Sequence, residues 1–471
     1  MLRVARRGSV FLLLAVVWAC GARATAVPSL ADYGSVQAAI DANPGRMVFV
    51  PEGDHAVSAK VRIGEAGGGL YGFGRIVQSN PKEVVLEIEH ADGVRIKDIT
   101  LTRAAGAEDA DASGLFCWDS RNVVIEGVRV VDCRARAAAI ELRACTDCTV
   151  RACQVVNYKR IAIDDRTSEG ENLYGYAFHA IDGTGILVNE SVGSIIIDNR
   201  IVEERLLPTP EMKEQYHLGL LTEGKYPTQP GTLGEEAVKL GYVSNWHQGS
   251  AVVVTSPEST HHTVVRGNHI RNSAQGIDLH CDTATVADNV IDYAMMGVKL
   301  THGCRNLVIS GNMITHVDLW GILLNPGAAS HAAEAATADN PAKKQNVDAG
   351  VIVANNLIAD YGYGHEYWNY GGASDDLDSS YAIALYEGQL VDNPPLTDVL
   401  ITGNMVYDTG RDGVVTDGEV TTPGPRYRYA VYVGPWGEGR QRGPSYPQGL
   451  HFIGNLFHPG ARGVSNVELQ P

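Results

Sequence analysis

Seven asparagines recur in one local setting and constrain the fold more than any other feature of the sequence. Each lies in a run such as VVRGNHI (264–270) or VLITGNMV (399–406), and the closest copies are 21 and 23 residues apart. A β-rich repeat this short is typical of a solenoid, because one repeat cannot bury its own apolar face. Stacked at the strand spacing of ~4.8 Å, the side chains can form an internal hydrogen-bonded ladder. The asparagines are Asn199, Asn268, Asn289, Asn312, Asn356, Asn404 and Asn455.

A second kind of apolar run, of which GIDLH (276–280) is an example, lies between successive asparagine runs. These runs are short, alternating and bounded by turns, and helical periodicity is absent over most of the chain. They therefore predict strands and an all-β fold. The pattern extends backwards through VVIEGVRV (123–130) and CTVRACQV (148–155), where Val128 and Cys153 take the place of the asparagine.

This helix-poor repeat, from about residue 35 to 460, resembles the right-handed parallel β-helix of the pectin lyase-like superfamily. The resemblance implies a single solenoid domain over residues 27–471, with roughly ten coils. Segment 35–63 reads as a short amphipathic helix followed by strands, and it is similar to the N-terminal cap of secreted β-helix proteins. Such a cap would cover the open edge of the first coil. The superfamily includes polysaccharide lyases, C5-epimerases and glycoside hydrolases, so the likeness is specific for the fold and not for a reaction.

Residues 1–26 have the pattern of a secretory signal peptide. Three arginines precede an apolar stretch, and small residues that suit a cleavage site follow it. We therefore expect a secreted or periplasmic protein, and we rank plain export above lipid anchoring through Cys20. No other apolar stretch is long enough to span a bilayer.

Charge and composition limit the partners. Thirty-eight basic and 55 acidic residues give a net charge of −17, which disfavours nucleic acid and anionic membrane surfaces. A polysaccharide is the expected partner, and an acidic one could be held by a local basic stripe or a bound cation. The sequence leaves the oligomeric state open.

Seven cysteines remain after signal cleavage. Cys145 and Cys148 are separated by two residues, but the second pair typical of a structural zinc site is missing. We expect buried thiols, or one or two disulfides. No cofactor can be assigned from the sequence, and Ca²⁺, which needs converging oxygen ligands, stays an open alternative.

Five insertions interrupt the repeat next to strands of the GIDLH type and should form two walls over one face of the solenoid. Long insertions of this kind often form binding sites, and the apolar faces of aromatic side chains can stack on sugar rings. We expect substrate contacts from Trp246 and His247, from Trp320, and from His365, Tyr367 and Trp368. The insertions span 204–249, 327–348, 360–380, 388–397 and 410–428.

Polar residues occupy the outward positions of the strands beneath these walls. In GIDLH, Ile277 and Leu279 should face the core, so Asp278 and His280 should face out. By the same alternation Lys299 faces out on the next coil, ~5 Å from Asp278, with His302 nearby. A second charged patch is predicted several coils away, with IAIDDR (161–166) taken as a strand of the solenoid: Glu141, Arg143, Asp164 and Arg166.

Two chemistries fit these residues. In the first, the cleft binds a uronic-acid polymer and removes the proton alpha to its carboxylate, with His280 as base, Lys299 neutralising the carboxylate, and Asp278 and Arg166 completing the site. Asp278, Leu279 and His280, with Lys299, loosely resemble the Asp-Pro-His element and lysine of mannuronan C5-epimerases. Leu279 replaces the family's proline, Gln275 stands where the family has tyrosine, and Lys299 follows the motif instead of preceding it.

In the second chemistry, two carboxylates flank a glycosidic bond. Glu141 and Asp164, if they are neighbours on adjacent coils, would be close enough for a retaining hydrolase. A third possibility is a polysaccharide-binding or adhesin β-helix without catalysis, although five walled insertions favour an enzyme.

Overall fold

The chain coils into a parallel β-helix. The computed structural model describes residues 27–168, 175–204, 210–230, 233–243, 246–338, 340–360, 380–408, 414–416, 419–421, 425, 427–435 and 442–471. Within them each coil contributes one strand to each of three parallel sheets, here called I, II and III in chain order. The all-β parallel solenoid predicted from the repeat is confirmed, and sheet I contains twelve stacked strands, slightly more than the roughly ten coils expected.

Sheet I carries the strands that precede each ladder asparagine. Neighbouring strands run parallel in unbroken register, with Val264 paired to Ile195 on one side and to Thr285 on the other. Its strands are Met47–Val50, Gly69–Gly72, Arg95–Lys97, Val124–Glu126, Thr149–Arg151, Ile195–Ile197, His261–Arg266, Asp282–Ala287, Arg305–Ser310, Ala349–Ala354, Thr397–Thr402 and Gln448–Ile453.

Sheets II and III meet in three long strands that bend from one sheet into the other: His269–Leu279, Val290–Thr301 and Met313–Asn325. The other strands of sheet II are Asp54–Val57, Arg75–Gln78, Thr100–Arg103, Arg129–Val131, Gln154–Val156, Arg200–Val202, Leu357–Ala359, Met405–Tyr407 and Leu456–Phe457. The other strands of sheet III are Val61–Ile63, Leu86–Glu89, Leu115–Trp118, Ile140–Arg143, Ile186–Asn189, Ser250–Thr255, Tyr381–Tyr386, Tyr429–Gly434 and Gly463–Ser465.

The core is a column of inward side chains. Ile277 and Leu279 are at most 1% exposed and stack on Val298 and Leu300 of the next coil. At the N-terminal end, helix Val36–Asp41 is capped by the Ser35 hydroxyl and buries Val36 and Ala39 against the first coil. A 3-10 turn, Leu30–Asp32, precedes it.

The predicted asparagine ladder is confirmed. Asn268 donates its backbone N–H and its side-chain amide to Asn289 Oδ1, at 3.0 and 2.9 Å. Asn289 donates in the same way to Asn312. The pattern runs from Asn199 to Asn455, and Cys153 donates its N–H to Asn199 at its lower end.

The residue before each ladder asparagine lies in the left-handed region of backbone space. Gly267, Gly311 and Gly403 have φ of +66°, +67° and +65°. On the coils between them the position is Asp288 or Asn355, at +56° and +55°. A Cβ on Gly311 would lie 2.7 Å from Asp288 Oδ1. Glycine therefore provides both the φ and the space for the polar side chain of the coil below.

Segments outside the solenoid lie in the turns on both sides of sheet III. The largest holds an antiparallel sheet of Arg160–Asp164, Ala177–Asp182 and Leu221–Thr222, with helices Pro210–Gln215 and Leu233–Leu240 and the 3-10 turn Arg166–Ser168. Strands Asp109–Ala110 and Arg134–Ala135 pair with each other, and Val414–Thr416 pairs with Glu419–Thr421. No helix of the described residues is both long and apolar enough to cross a membrane.

The prediction that IAIDDR forms a strand of the solenoid is wrong. Arg160–Asp164 pairs antiparallel with Ala177–Asp182 and belongs to the segment between sheets II and III. Asp164 and Glu141 are therefore not neighbours on adjacent coils. Local alternation is the same in a solenoid strand and in a hairpin, so the sequence pattern could not separate them.

We expect Asn289→Ala to destabilise the protein strongly, because it leaves the Asn268 N–H and amide and the Val265 carbonyl without their buried partner. The free energy of unfolding, measured by chemical denaturation, should fall by at least ~2 kcal/mol. Asn340→Ala, at an exposed loop position, is the control and should change it by less than ~0.5 kcal/mol. Equal effects of the two substitutions would contradict a structural role for the ladder.

Candidate active site

A cleft of about 580 Å³ lies over sheet III. Its floor is formed by outward residues of Ser250–Thr255, His269–Leu279 and Val290–Thr301, and one wall is formed by the antiparallel sheet. The lining residues are Asp111, Arg136, Ala137, Arg143, Ile163, Asp164, Asp165, Arg166, Asp182, Gly183, Thr184, Leu187, Gln248, Gly249, Ser250, Val253, Gln275, Asp278, His280 and Lys299. Asp278, His280, Lys299 and Arg166 thus share one cleft.

Asp278 lies at the centre of the floor. Its register partner on the next coil is Lys299, whose Nζ is 3.4 Å from Asp278 Oδ1, and His280 Nε2 is 3.0 Å from the same oxygen. Burial alone would raise the pKa of Asp278, but the charges of His280 and Lys299 lower it below its usual range. Asp278 is therefore an anion that holds two cationic or proton-carrying groups in place.

Two contacts fix the orientation of the His280 ring. Nε2 faces the Asp278 carboxylate, and Nδ1 lies 3.2 Å from Thr255 Oγ1. A carboxylate on Nε2 favours the tautomer that carries its proton there, which leaves Nδ1 as an acceptor. Nδ1 then accepts the Thr255 hydroxyl, and it can receive a proton when that hydroxyl turns to accept instead of donating.

His302 lies behind His280, outside the cleft lining. The two rings meet edge to face, with centroids 4.7 Å apart at 87°. Burial, with the charges of His280 and Lys299, lowers the pKa of His302 to about 3, and its Nδ1 accepts the Ala329 N–H. His302 is thus a neutral ring that supports His280 and does not reach a substrate in the cleft.

Arg166 and Asp164 form a bidentate pair on the wall. Arg166 Nε and Nη2 donate to the two oxygens of Asp164, at 2.9 and 2.5 Å. These bonds lower the pKa of Asp164, although its burial acts in the opposite direction. The Arg166 side chain remains 59% exposed, so the guanidinium can still meet an anion in the cleft.

Glu141 and Arg143 lie further along sheet III. Glu141 is buried, accepts the Ser113 hydroxyl at 2.6 Å, and pairs with Arg143 Nη2 at 2.6 Å. Leu187 and Val253 separate it from Asp278 in the same column. Three coil spacings put the two carboxylates ~14 Å apart. Arg143 lines the cleft, whereas Glu141 does not.

The expectation that Trp246 and His247 contact substrate is wrong in this structure. Trp246 is 1% exposed and packs in the core of the wall segment, with Phe178 and Ile181. His247 is fully buried, 3.0 Å from the Nζ of the equally buried Lys159. Large aromatic rings at the end of an insertion can either pack in its core or bind a ligand, and Trp246 packs in the core.

The remaining predicted contacts fall elsewhere. Trp320 is 5% exposed, packs against Tyr381 and Tyr386 on the outer side of sheet III, and does not line the cleft. His365, Tyr367 and Trp368 lie outside the described residues. The seven described cysteines are free and buried, in line with the expectation of buried thiols.

Comparison with solved structures identifies the fold. The A-module of mannuronan C-5 epimerase AlgE4 from Azotobacter vinelandii has a TM-score of 0.51 at 12% identity, and the match covers 94% of this chain and 98% of that one. A tailspike protein of E. coli bacteriophage HK620, in complex with a pentasaccharide, has a TM-score of 0.50 at 12% identity. That match covers 91% of this chain and 65% of the tailspike chain. The likeness identifies the fold as a parallel β-helix. No protein-family model and no curated protein sequence matches the chain.

The β-helix places two further residues in the cleft that the sequence reading did not select. Asp182 is buried, and its burial raises its pKa. Arg160, whose Nε donates to Asp182 Oδ1 at 2.8 Å, acts in the opposite direction but does not offset the effect of burial. Gln275 is 8% exposed and accepts the Ser250 hydroxyl at 3.3 Å. The bend before Gly276 turns Gln275 outward, and no alternation pattern predicts such a bend.

A pH-dependent stability follows from Lys159. Its burial lowers its pKa to about 7 in the folded β-helix, against ~10.4 in the unfolded chain. Between these values the unfolded state binds the extra proton, so the contribution of Lys159 to stability is lost as pH falls from ~10 to about 7 and is constant below that. The difference in unfolding free energy between wild type and Lys159→Met should rise by ~1.4 kcal/mol per pH unit over that window.

The measurement is chemical denaturation of both proteins at pH 7, 8, 9 and 10. Lys239→Met, at a side chain that is 67% exposed on a surface helix, is the matched control and should show no such slope. A flat difference for Lys159→Met would mean that the ammonium is charged in the fold throughout.

Proposed function

We propose that this β-helix is an exported carbohydrate-active enzyme that removes the C5 proton of a uronic-acid polymer, as a lyase or an epimerase. The observation that carries the proposal is the placement of Asp278 within 3.0 Å of His280 and 3.4 Å of Lys299, in one cleft with Arg166. A base, a carboxylate that orients it and two cations are the groups that proton abstraction next to a carboxylate requires.

The cleft contains basic groups that an acidic substrate can meet, although they do not outnumber its acids. Lys299, Arg166, Arg143 and Arg136 line it together with Asp111, Asp164, Asp165, Asp182 and Asp278. The side chains of Arg136, Arg143 and Arg166 are about half exposed, so their guanidinium groups can donate to a substrate carboxylate. The fold likeness adds that proteins of this architecture include a mannuronan C-5 epimerase and a tailspike seen with a pentasaccharide.

In the proposed reaction His280 takes the C5 proton on Nδ1 while the Asp278 carboxylate stabilises the imidazolium that forms. Lys299 and Arg166 stabilise the negative charge that moves onto the C6 carboxylate. In a lyase the electron pair then forms the C4–C5 double bond, the C4–O4 bond breaks and the leaving oxygen takes a proton from water. In an epimerase C5 receives a proton from water on the opposite face of the ring. In both reactions His280 then returns its proton to solvent.

A glycoside hydrolase is the second candidate, because one pair of cleft carboxylates has pKa values shifted in opposite directions. The pKa of Asp164 is lowered by its bonds to Arg166, and that of Asp182 is raised by burial. Such a split is typical of a general acid paired with a base or nucleophile. The original pair, Glu141 with Asp164, loses its support because the two are not on adjacent coils.

We expect His280→Ala and Lys299→Ala each to reduce turnover by ~10²-fold or more on the right polymer, since each removes a group that acts as charge develops. The assay scores a panel of uronic-acid polymers for absorbance of unsaturated uronates, for new reducing ends, and for exchange of the C5 proton with solvent. Absorbance with new ends indicates a lyase, exchange alone an epimerase, and ends alone a hydrolase.

Glu141→Gln is the control, because Glu141 lies three coils from Asp278, and it should keep activity within ~3-fold. Should Asp164→Asn and Asp182→Asn abolish activity while His280→Ala leaves it intact, the hydrolase replaces the lyase or epimerase. If substitution of His280, Lys299, Asp164 and Asp182 changes no activity and polysaccharide binding is retained, the protein is a non-catalytic binding β-helix.

A further inference from the structure

Three buried cysteines converge inside the solenoid, away from the cleft. Cys117 faces the core from strand Leu115–Trp118, and Cys145 and Cys148 lie in the turn that follows Ile140–Arg143 on the next coil. All three are at most 1% exposed. Cys145 Sγ lies 3.6 Å from Cys117 Sγ, and the three sulfurs all lie within 4.8 Å of one another.

This spacing is close to that of sulfur atoms around a metal ion. Zinc–sulfur bonds of ~2.3 Å place tetrahedral ligands ~3.8 Å apart. A disulfide would need the sulfurs to approach to ~2.05 Å. In the described part of the chain, no other group of three or more His, Cys, Asp or Glu side chains has this ligand spacing.

We propose that Cys117, Cys145 and Cys148 form a buried site for Zn²⁺ or a similar thiophilic divalent cation. The three sulfurs would fill three positions of a tetrahedral site and join two successive coils. Cys145 and Cys148 alone lack a second pair in the sequence, and Cys117, 28 residues before Cys145, reaches them only because the solenoid stacks one coil on the next.

The chemistry selects the class of ion. Thiolate ligands prefer soft or borderline cations, whereas Ca²⁺ and Mg²⁺ prefer oxygen. An isolated thiolate in an apolar core is costly, and a divalent ion cancels two of the three charges. Cys145 now donates its S–H to the Cys117 carbonyl at 3.3 Å and Cys148 donates to the Thr146 carbonyl at 3.5 Å. Metal binding would release these protons to solvent.

The test uses the full chain, purified under reducing conditions and incubated with Zn²⁺ before gel filtration. Metal content per chain and the melting temperature are measured for wild type, Cys145→Ser, Cys148→Ser and Cys153→Ser. We expect about one retained Zn²⁺ per wild-type chain with a raised melting temperature, and at least a tenfold loss of retained zinc in the first two variants. Cys153 is equally buried but outside the cluster, so Cys153→Ser should retain the ion.

X-ray absorption of the zinc-loaded wild type makes the test independent of how the variants fold, and three sulfurs at ~2.3 Å are expected. Absence of retained zinc, equal retention in all variants, or a shell of nitrogen and oxygen only would overturn the proposal. An intact mass two hydrogens lighter, with two fewer titratable thiols, would overturn it in favour of a disulfide.

Discussion

The spacing between coils governs the rest of this structure. Backbone pairing sets it at ~4.8 Å, and the ladder from Asn199 to Asn455 adds two hydrogen bonds per coil inside the turn after sheet I. The position of every outward side chain on sheet III is therefore fixed by its place along the strand and by the register between coils. Contacts between functional groups are restricted to neighbours on the same strand, such as Asp278 and His280, or to register partners, such as Asp278 and Lys299.

The same coil spacing separates the two candidate chemistries. Glu141 and Asp278 share a column but are three coils apart, which is beyond the separations that either class of hydrolase uses. Asp164 and Asp182 belong to the antiparallel wall, where spacing is set by a different sheet, and their positions in its register are four residues apart. The floor thus offers a base with cations, and the wall offers carboxylates, within one cleft.

Alternation alone was sufficient to predict that Asp278 and His280 face outward, since Ile277 and Leu279 had to face the core. The alternation rule failed in the segments that lie outside the three solenoid sheets. Asp164 alternates like a residue of a solenoid strand but lies in an antiparallel sheet, and Trp246 fills the core of that segment. The buried pair of Lys159 and His247 and the raised pKa of Asp182 depend on contacts between segments distant in sequence, which no local pattern encodes.

The positions before the ladder asparagines have a further consequence. Asp198, Gly267, Asp288, Gly311, Asn355 and Gly403 alternate between a polar side chain and a glycine that makes room for it. Between Asp198 and Gly403 the repeating unit is therefore two coils and not one, and Gly454 ends the alternation. Removal of the single coil that contributes Gly311 would set Asp288 beneath Asn355, where no glycine leaves room for its side chain, whereas removal of a pair would restore the alternation.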